Sequence, residues 1–196
     1  MTLLRRLVFI IDQTLFRWLV KLFYPQYKRP RQGYMSHYRV LWHYFFMQKI
    51  LGFNRTVPWP VDFRSKIRGW RHIQKGIMCD PGDNLGIYIN AYGGLKLGDN
   101  VGIAPNSVIV TTNHDKYDHR KHGPVRGVEI GKNVWIGANC VILPGSKIGD
   151  EVTIGAGCVI NCEIPSRSTV VRGDNAIKII PKKKAYEWDI YSEKLT

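Results

Sequence analysis

His114 stands in the run Thr111-Thr112-Asn113-His114-Asp115. A neutral imidazole is the side chain best matched to taking up a proton near neutral pH, so general-base chemistry is the first reading of this residue. His119 follows at an H-x-x-x-x-H spacing, which zinc sites use, but a catalytic zinc needs three protein ligands. No histidine lies between His72 and His114 to supply the third, and no metal is expected. The four cysteines show neither C-x-x-C nor any other zinc spacing, and four in 196 residues form no disulfide framework. On its own, His114 would read as a surface histidine beside a polar stretch. Its standing depends on what positions it.

That positioning comes from a strict repeat. Isoleucine recurs at 130, 136, 142, 148, 154 and 160, every sixth residue, and the same phase runs earlier through Leu97, Ile103 and Ile109. Glycine follows at 98, 131, 137, 149 and 155, where it is expected to ease a turning backbone. Four places after each aliphatic sits a small or β-branched residue, from Val101 and Ser107 through Val134, Cys140, Ser146, Val152 and Cys158 to Ile164. A period of six fits neither a helix nor an alternating strand; it is the hexapeptide signature of a parallel β-helix. Three units per turn place residues 18 apart above one another, as Cys140 and Cys158 are. These two are expected to be buried thiols, although a bridge is geometrically conceivable. The repeat breaks once, at the polar and basic stretch 115–129, and His114 ends the unit just before it. An excursion from so regular a coil is more often functional than accidental.

Three zones result: a helical and extended region 1–72, the repeat region 73–180 with its loop 115–129, and a basic extension 181–196. In the first, Leu4, Val8, Ile11, Leu15, Trp18 and Leu22 form one apolar helix face. Such a face usually packs on its own core or on a neighbouring subunit; with Arg5, Arg6, Arg17 and Lys21 nearby, peripheral contact with an anionic membrane is the other reading. A second helix is expected over about 36–51. The formal charge of +14, with 29 Lys and Arg against 15 Asp and Glu, predicts an anionic partner. The basic residues are dispersed and match no nucleic-acid motif, so nucleic acid is not expected. Asp12 and Gln13 break the apolar run Leu7–Ile11 and no cleavage site follows. Nothing approaches the roughly 20 apolar residues of a spanning helix. A reducing, cytoplasmic setting is expected, with the inner membrane face as the place a peripheral contact would occur.

Several stretches carry a family resemblance: Leu97-Gly98-Asp99-Asn100-Val101 with Ile103-Ala104-Pro105-Asn106, Asn113-His114, Ile130-Gly131-Lys132-Asn133-Val134-Trp135-Ile136-Gly137-Ala138 and Ile154-Gly155-Ala156-Gly157. Residues from about 73 to 180 resemble the hexapeptide-repeat acyltransferases, most closely the galactoside and maltose O-acetyltransferase group. The resemblance implies an all-β core in a left-handed parallel β-helix, a homotrimer, and acetyl-CoA as co-substrate bound between neighbouring coils. By the same resemblance His114 is the general base and Asn90 contacts the acceptor hydroxyl compound. Trp135 lies along the pantetheine arm, Ala138, Ala156, Asn161 and Cys162 line the rest of the groove, and Lys178 meets the phosphates. The run Leu51-Gly52-Phe53-Asn54-Arg55-Thr56-Val57-Pro58-Trp59-Pro60 is similar to transferases of surface-polysaccharide synthesis, which favours a sugar or bacterial glycan precursor as acceptor. Xenobiotic acetyltransferases share the histidine and the excursion and stay open as an alternative. A γ-type carbonic anhydrase and a non-catalytic basic scaffold are weaker ones, for want of a third histidine and of a nucleic-acid motif.

Overall fold

Along the repeat, each unit contributes one short strand whose aliphatic side chain turns inward. The computed structural model describes residues 3–29 and 36–171; Lys178 and the segment 181–196 lie outside them. The strands are β1 (Lys66–Arg68), β2 (Ile73–Lys75), β3 (Tyr88–Asn90), β4 (Leu95–Leu97), β5 (Gly102–Ile103), β6 (Val108–Val110) and β7 (Val128–Ile130). They continue as β8 (Trp135–Ile136), β9 (Val141–Ile142), β10 (Lys147–Ile148), β11 (Thr153–Ile154), β12 (Val159–Ile160), β13 (Glu163–Ile164) and β14 (Thr169–Val170). Three parallel sheets gather them in the orders β1-β3-β6-β9-β12, β2-β4-β7-β10-β13 and β5-β8-β11-β14. From β3 onward the chain visits the three sheets in strict rotation, so it winds around a three-faced interior. Ile103, Ile109, Ile130, Ile136, Ile142, Ile148, Ile154 and Ile160 fill that interior and are buried. Burying each is worth about 1.5–3 kcal/mol. Pairing begins at Lys66, so β1 joins the first face ahead of residue 73.

Two details of the repeat differ from expectation. The turning backbone is carried by the third residue after most of the inward aliphatics: Asn100, Asn106, Asn133 and Asn139 take left-handed φ of 54° to 59°. Asparagine tolerates this region because its short polar side chain bonds locally. The glycines directly after the aliphatics have another task. A Cβ on Gly137 would lie 2.6 Å from the Ala156 backbone nitrogen, and one on Gly131 2.8 Å from the Gly149 carbonyl carbon. They are small because successive turns stack against them. The second difference is at the end of the coil. Ile164 is the inward residue of β13, paired with Ile148, rather than a fourth-place residue. The in-phase position falls on Ser166, which is polar, so the coil shortens that unit and turns the nearest isoleucine inward.

The N-terminal region is helical, as its periodicity predicts, but it buries a different side. α1 (Leu3–Ile11) runs through a π-helical stretch (Asp12–Phe16) into α2 (Arg17–Phe23); α3 (His37–Val40) widens into a second π-helix (Leu41–Ile50). Contact between them is made by Val20, Tyr24 and Val40, with Phe23, Leu41 and Tyr44 around them. The expected packing face is exposed at Leu4, Val8, Ile11, Leu15, Trp18 and Leu22, so packing of that face on the protein's own core is overturned. Val20 and Tyr24 lie off that stripe, and the second helix takes up their side.

The helices are fastened to the coil by polar contacts. Asp80, buried, accepts from Lys75 Nζ at 2.9 Å and Arg29 at 2.8 Å. The Met78 N–H donates to Lys28 O at 2.9 Å, and the Tyr44 hydroxyl donates to Asp83 O at 3.1 Å. Buried Gln48 clasps the linking segment, donating to Trp59 O at 2.9 Å and accepting from Val61 N at 3.0 Å.

Candidate functional site

The excursion leaves the coil after β6 and returns at β7, and its own aspartates build it. Asp115 Oδ1 accepts from the backbone N–H groups of Tyr117 and Asp118 at 2.7 and 3.0 Å. Those two bonds hold its carboxyl below the usual carboxylate range. Asp118 is buried and accepts from Arg120 at 3.0 Å, with Lys121 at 3.3 Å. The hydrogen bond from Arg120 is the main cause of its low pKa. The base of the loop closes with Gly123 N–H donating to Asn113 O and Asp115 N–H to Lys121 O, each at 2.9 Å. His114 is held in that neck, bridged in antiparallel fashion to His122, whose ring stacks on it at 5.4 Å.

The decisive contact of His114 is with a carbonyl. Its Nδ1 lies 2.6 Å from His119 O. A carbonyl oxygen only accepts, so Nδ1 carries the proton and donates it. In the neutral ring the lone pair then sits on Nε2, and the side chain is exposed. That is the arrangement a general base requires: the tautomer is fixed by the loop and the basic nitrogen is open to an incoming hydroxyl.

Asn90 ends β3, one turn of coil away. Its Nδ2 donates to Thr112 Oγ1 at 3.3 Å, and its Oδ1 accepts from Tyr92 N at 3.4 Å. Through Thr112 it reaches the run that carries His114. Asn161 and Cys162 are exposed in the corner after β12, which lies along the same edge of the coil as the corner after β6. Trp135, by contrast, stands on the third face between Gly102 and Thr153. Its ring is half exposed and lies over Gly102, where a Cβ would come within 2.7 Å of it. Ala138 and Ala156 stack in the corner between the third face and the first, the Gly157 N–H donating to Ala138 O at 2.9 Å. One chain therefore carries these candidate residues on two different edges. His114, Asn90, Asn161 and Cys162 trail the first face; Trp135, Ala138 and Ala156 belong to the third.

Trp135 also borders a cleft of about 340 Å³ shared with Asn100, Gly102, Asn133, Asp83 and Arg29. Reading the sequence missed Arg29 and Asp83 as neighbours of this surface. They come from segments far apart in the chain, which no local sequence pattern brings together. Among the described residues no group of three metal-ligating side chains forms a site.

Residues 127–170 match the family described as bacterial transferase hexapeptide (six repeats). This stretch is thus a run of bacterial-transferase hexapeptide repeats. Galactoside O-acetyltransferase of Escherichia coli (strain K12) is 40% identical, over 47% of this chain and 56% of that protein. Nodulation protein L of Rhizobium meliloti (strain 1021) is 38% identical, over 34% of this chain and 44% of that protein. The chain spans about half the length of these curated relatives. A solved galactoside acetyltransferase in complex with coenzyme A is 28% identical, with a TM-score of 0.45 over 57% of this chain and 63% of that one.

Proposed function

We propose that this protein is an acetyl-CoA-dependent O-acetyltransferase acting on a hydroxyl of a sugar or bacterial glycan precursor, with His114 as general base. The observation that carries the reading is the bond from His114 Nδ1 to His119 O at 2.6 Å, which leaves Nε2 as the basic atom. Nε2 takes the acceptor's hydroxyl proton as that oxygen attacks the thioester carbonyl. The new C–O bond forms, the C–S bond breaks, and the proton passes to the leaving sulfur, so the imidazole ends neutral. A backbone N–H in the groove stabilises charge on the carbonyl oxygen. Acetyl as the group transferred is supported by the similarity to galactoside O-acetyltransferase, and a sugar acceptor by the same relative.

The fold in this reading is a left-handed parallel β-helix, and the assembly is a homotrimer. Its support is the division of the site: the edge bearing His114 and Asn90 in one copy meets Trp135, Ala138 and Ala156 of the next. The outward ladder of the first face, Tyr88, Val108, Val141 and Val159, supplies apolar surface for that contact. Lys178 is assigned to the phosphates of the donor, and residues 73–180 to the acyltransferase domain, between a helical and extended region 1–72 and a basic extension 181–196.

Free-thiol release from acetyl-CoA with a panel of sugar acceptors tests the reading. Acceptor-dependent release is expected; release that is absent with every hydroxyl acceptor, or that stays near normal in a folded His114→Ala protein, overturns it. Titrations of the donor at two ionic strengths test the groove. Trp135→Ala weakens binding at every ionic strength. The loss in Lys178→Ala shrinks as the Debye length falls from roughly 10 Å at 0.1 M to 3 Å at 1 M.

A further inference from the structure

The helices α1 to α3 leave their apolar side without a cover. No residue of α1 is buried, Phe9 and Trp18 are exposed, and Phe46 and above all Trp42, 84% exposed, border a groove between the helices with Phe16, Tyr38 and Leu41. An exposed apolar surface of this extent is an interaction site. The charge around it says of what kind. Residues 1–61 hold ten Lys and Arg and one acid, Asp12. That acid is buried and already engaged, accepting from Tyr38 N at 2.9 Å and facing His37 Nδ1 at 3.1 Å. Arg5, Arg6 and Lys21 are exposed, and no carboxylate pairs with them among the described residues.

We propose that this helical face docks on the surface of an anionic lipid bilayer, with the helices lying in the interface. Leu, Phe and Trp side chains enter the boundary of headgroups and acyl chains, while Arg and Lys extend their apolar stems and keep their charges among lipid phosphates. Trp18 and Trp42 suit the headgroup level, where an amphipathic ring is most at home. The basic surplus selects the lipid. A second copy of this chain is a poorer occupant, because residues 62–196 are also net basic, with 19 Lys and Arg against 14 acids. Among the described residues no helix is long and apolar enough to cross a membrane, so contact with one face of the bilayer is the arrangement the chain supports. This inference stands independently of the transferase reading.

Flotation of the full chain with vesicles tests it. Binding to mixed phosphatidylcholine–phosphatidylglycerol vesicles is expected, with little binding to phosphatidylcholine alone and loss of binding as salt rises. Neutralising Arg5→Gln with Arg6→Gln, both exposed and outside the fold's packing, should lower partitioning by roughly tenfold or more. Phe9→Glu with Trp42→Glu should abolish it while thiol release with a soluble acceptor persists. Equal binding to both vesicle types, or none to either, overturns the proposal. So does a change in sedimentation mass of the Phe9→Glu, Trp42→Glu protein with vesicle binding intact, which would make the face a contact between copies. Should the double aromatic variant fail to fold, the arginine pair decides alone.

Discussion

The first and second faces of the coil have matching interiors and opposite exteriors. Inward, both present isoleucines in register, Ile89, Ile109, Ile142 and Ile160 on one and Ile130, Ile148 and Ile164 on the other. Outward, the first face runs Tyr88, Val108, Val141 and Val159, with Val159 62% exposed. The second runs Lys96, Glu129, Lys147 and Glu163, alternating in sign. Lys96 and Glu129 lie 3.3 Å apart and both are exposed. The repeat therefore fixes the coil through one residue in each strand and leaves its neighbour free to assign each face a task. The second face is suited to water, the first offers apolar surface for the contact between copies proposed above, and His114 stands on the edge where the first face ends.

The comparison breaks if the interiors are not equivalent. Ile142→Ala and Ile148→Ala should each cost about 2–5 kcal/mol, measured by denaturant unfolding; a loss confined to one face would mean that the two do not share a core. Next in size is His114→Ala, expected to lower turnover about a hundredfold, roughly 2.7 kcal/mol of barrier. Glu129→Ala, on the charged face, should leave turnover unchanged. Association sharpens the contrast: Val141→Glu with Val159→Glu should drop the sedimentation mass from trimer to monomer, and an unchanged mass would remove the partner role from the first face. Lys147→Ala should keep the trimer and cost less than about 1 kcal/mol, as exposed ion pairs do.

The smallest effect is on thiol chemistry. Burial pushes the Cys79 thiol up to about 12 and raises that of Cys140 as well, and only a thiolate reacts readily. Exposed Cys162 should be the first to take an alkylating label near pH 8, read by mass spectrometry. Saturating acetyl-CoA should slow that labelling. Equal labelling with and without the donor would take Cys162 out of the groove.

Legibility followed the range of the interactions. The inward isoleucines and the excursion at His114 were readable because a period of six is local. The corner asparagines are less regular, giving way to Gly145, Glu151 and Gly157 further along, and the left-handed φ of Asn133 and Asn139 shows only in the structure. Ile164 misled for the opposite reason: it sat at the fourth place after Ile160, and only pairing with Ile148 reveals the shortened unit. The anchor of Arg29 and Lys75 on Asp80 joins separate stretches, which no local pattern records. The partition of the site between edges was likewise hidden, since Trp135 and His114 are near in sequence but occupy different sides of the coil.

That anchor on Asp80 bears on biosynthesis. A nascent chain leaves the ribosome from its N-terminus, and domains fold in the order of their emergence. Here α1 to α3 emerge ahead of the coil, but the groups that fasten them, Lys75, Met78, Asp80 and Asp83, come only with its first turns. Until those residues emerge, the helices carry their apolar side chains with no coil to moor them, so a bilayer or a chaperone can engage the protein before the coil has formed.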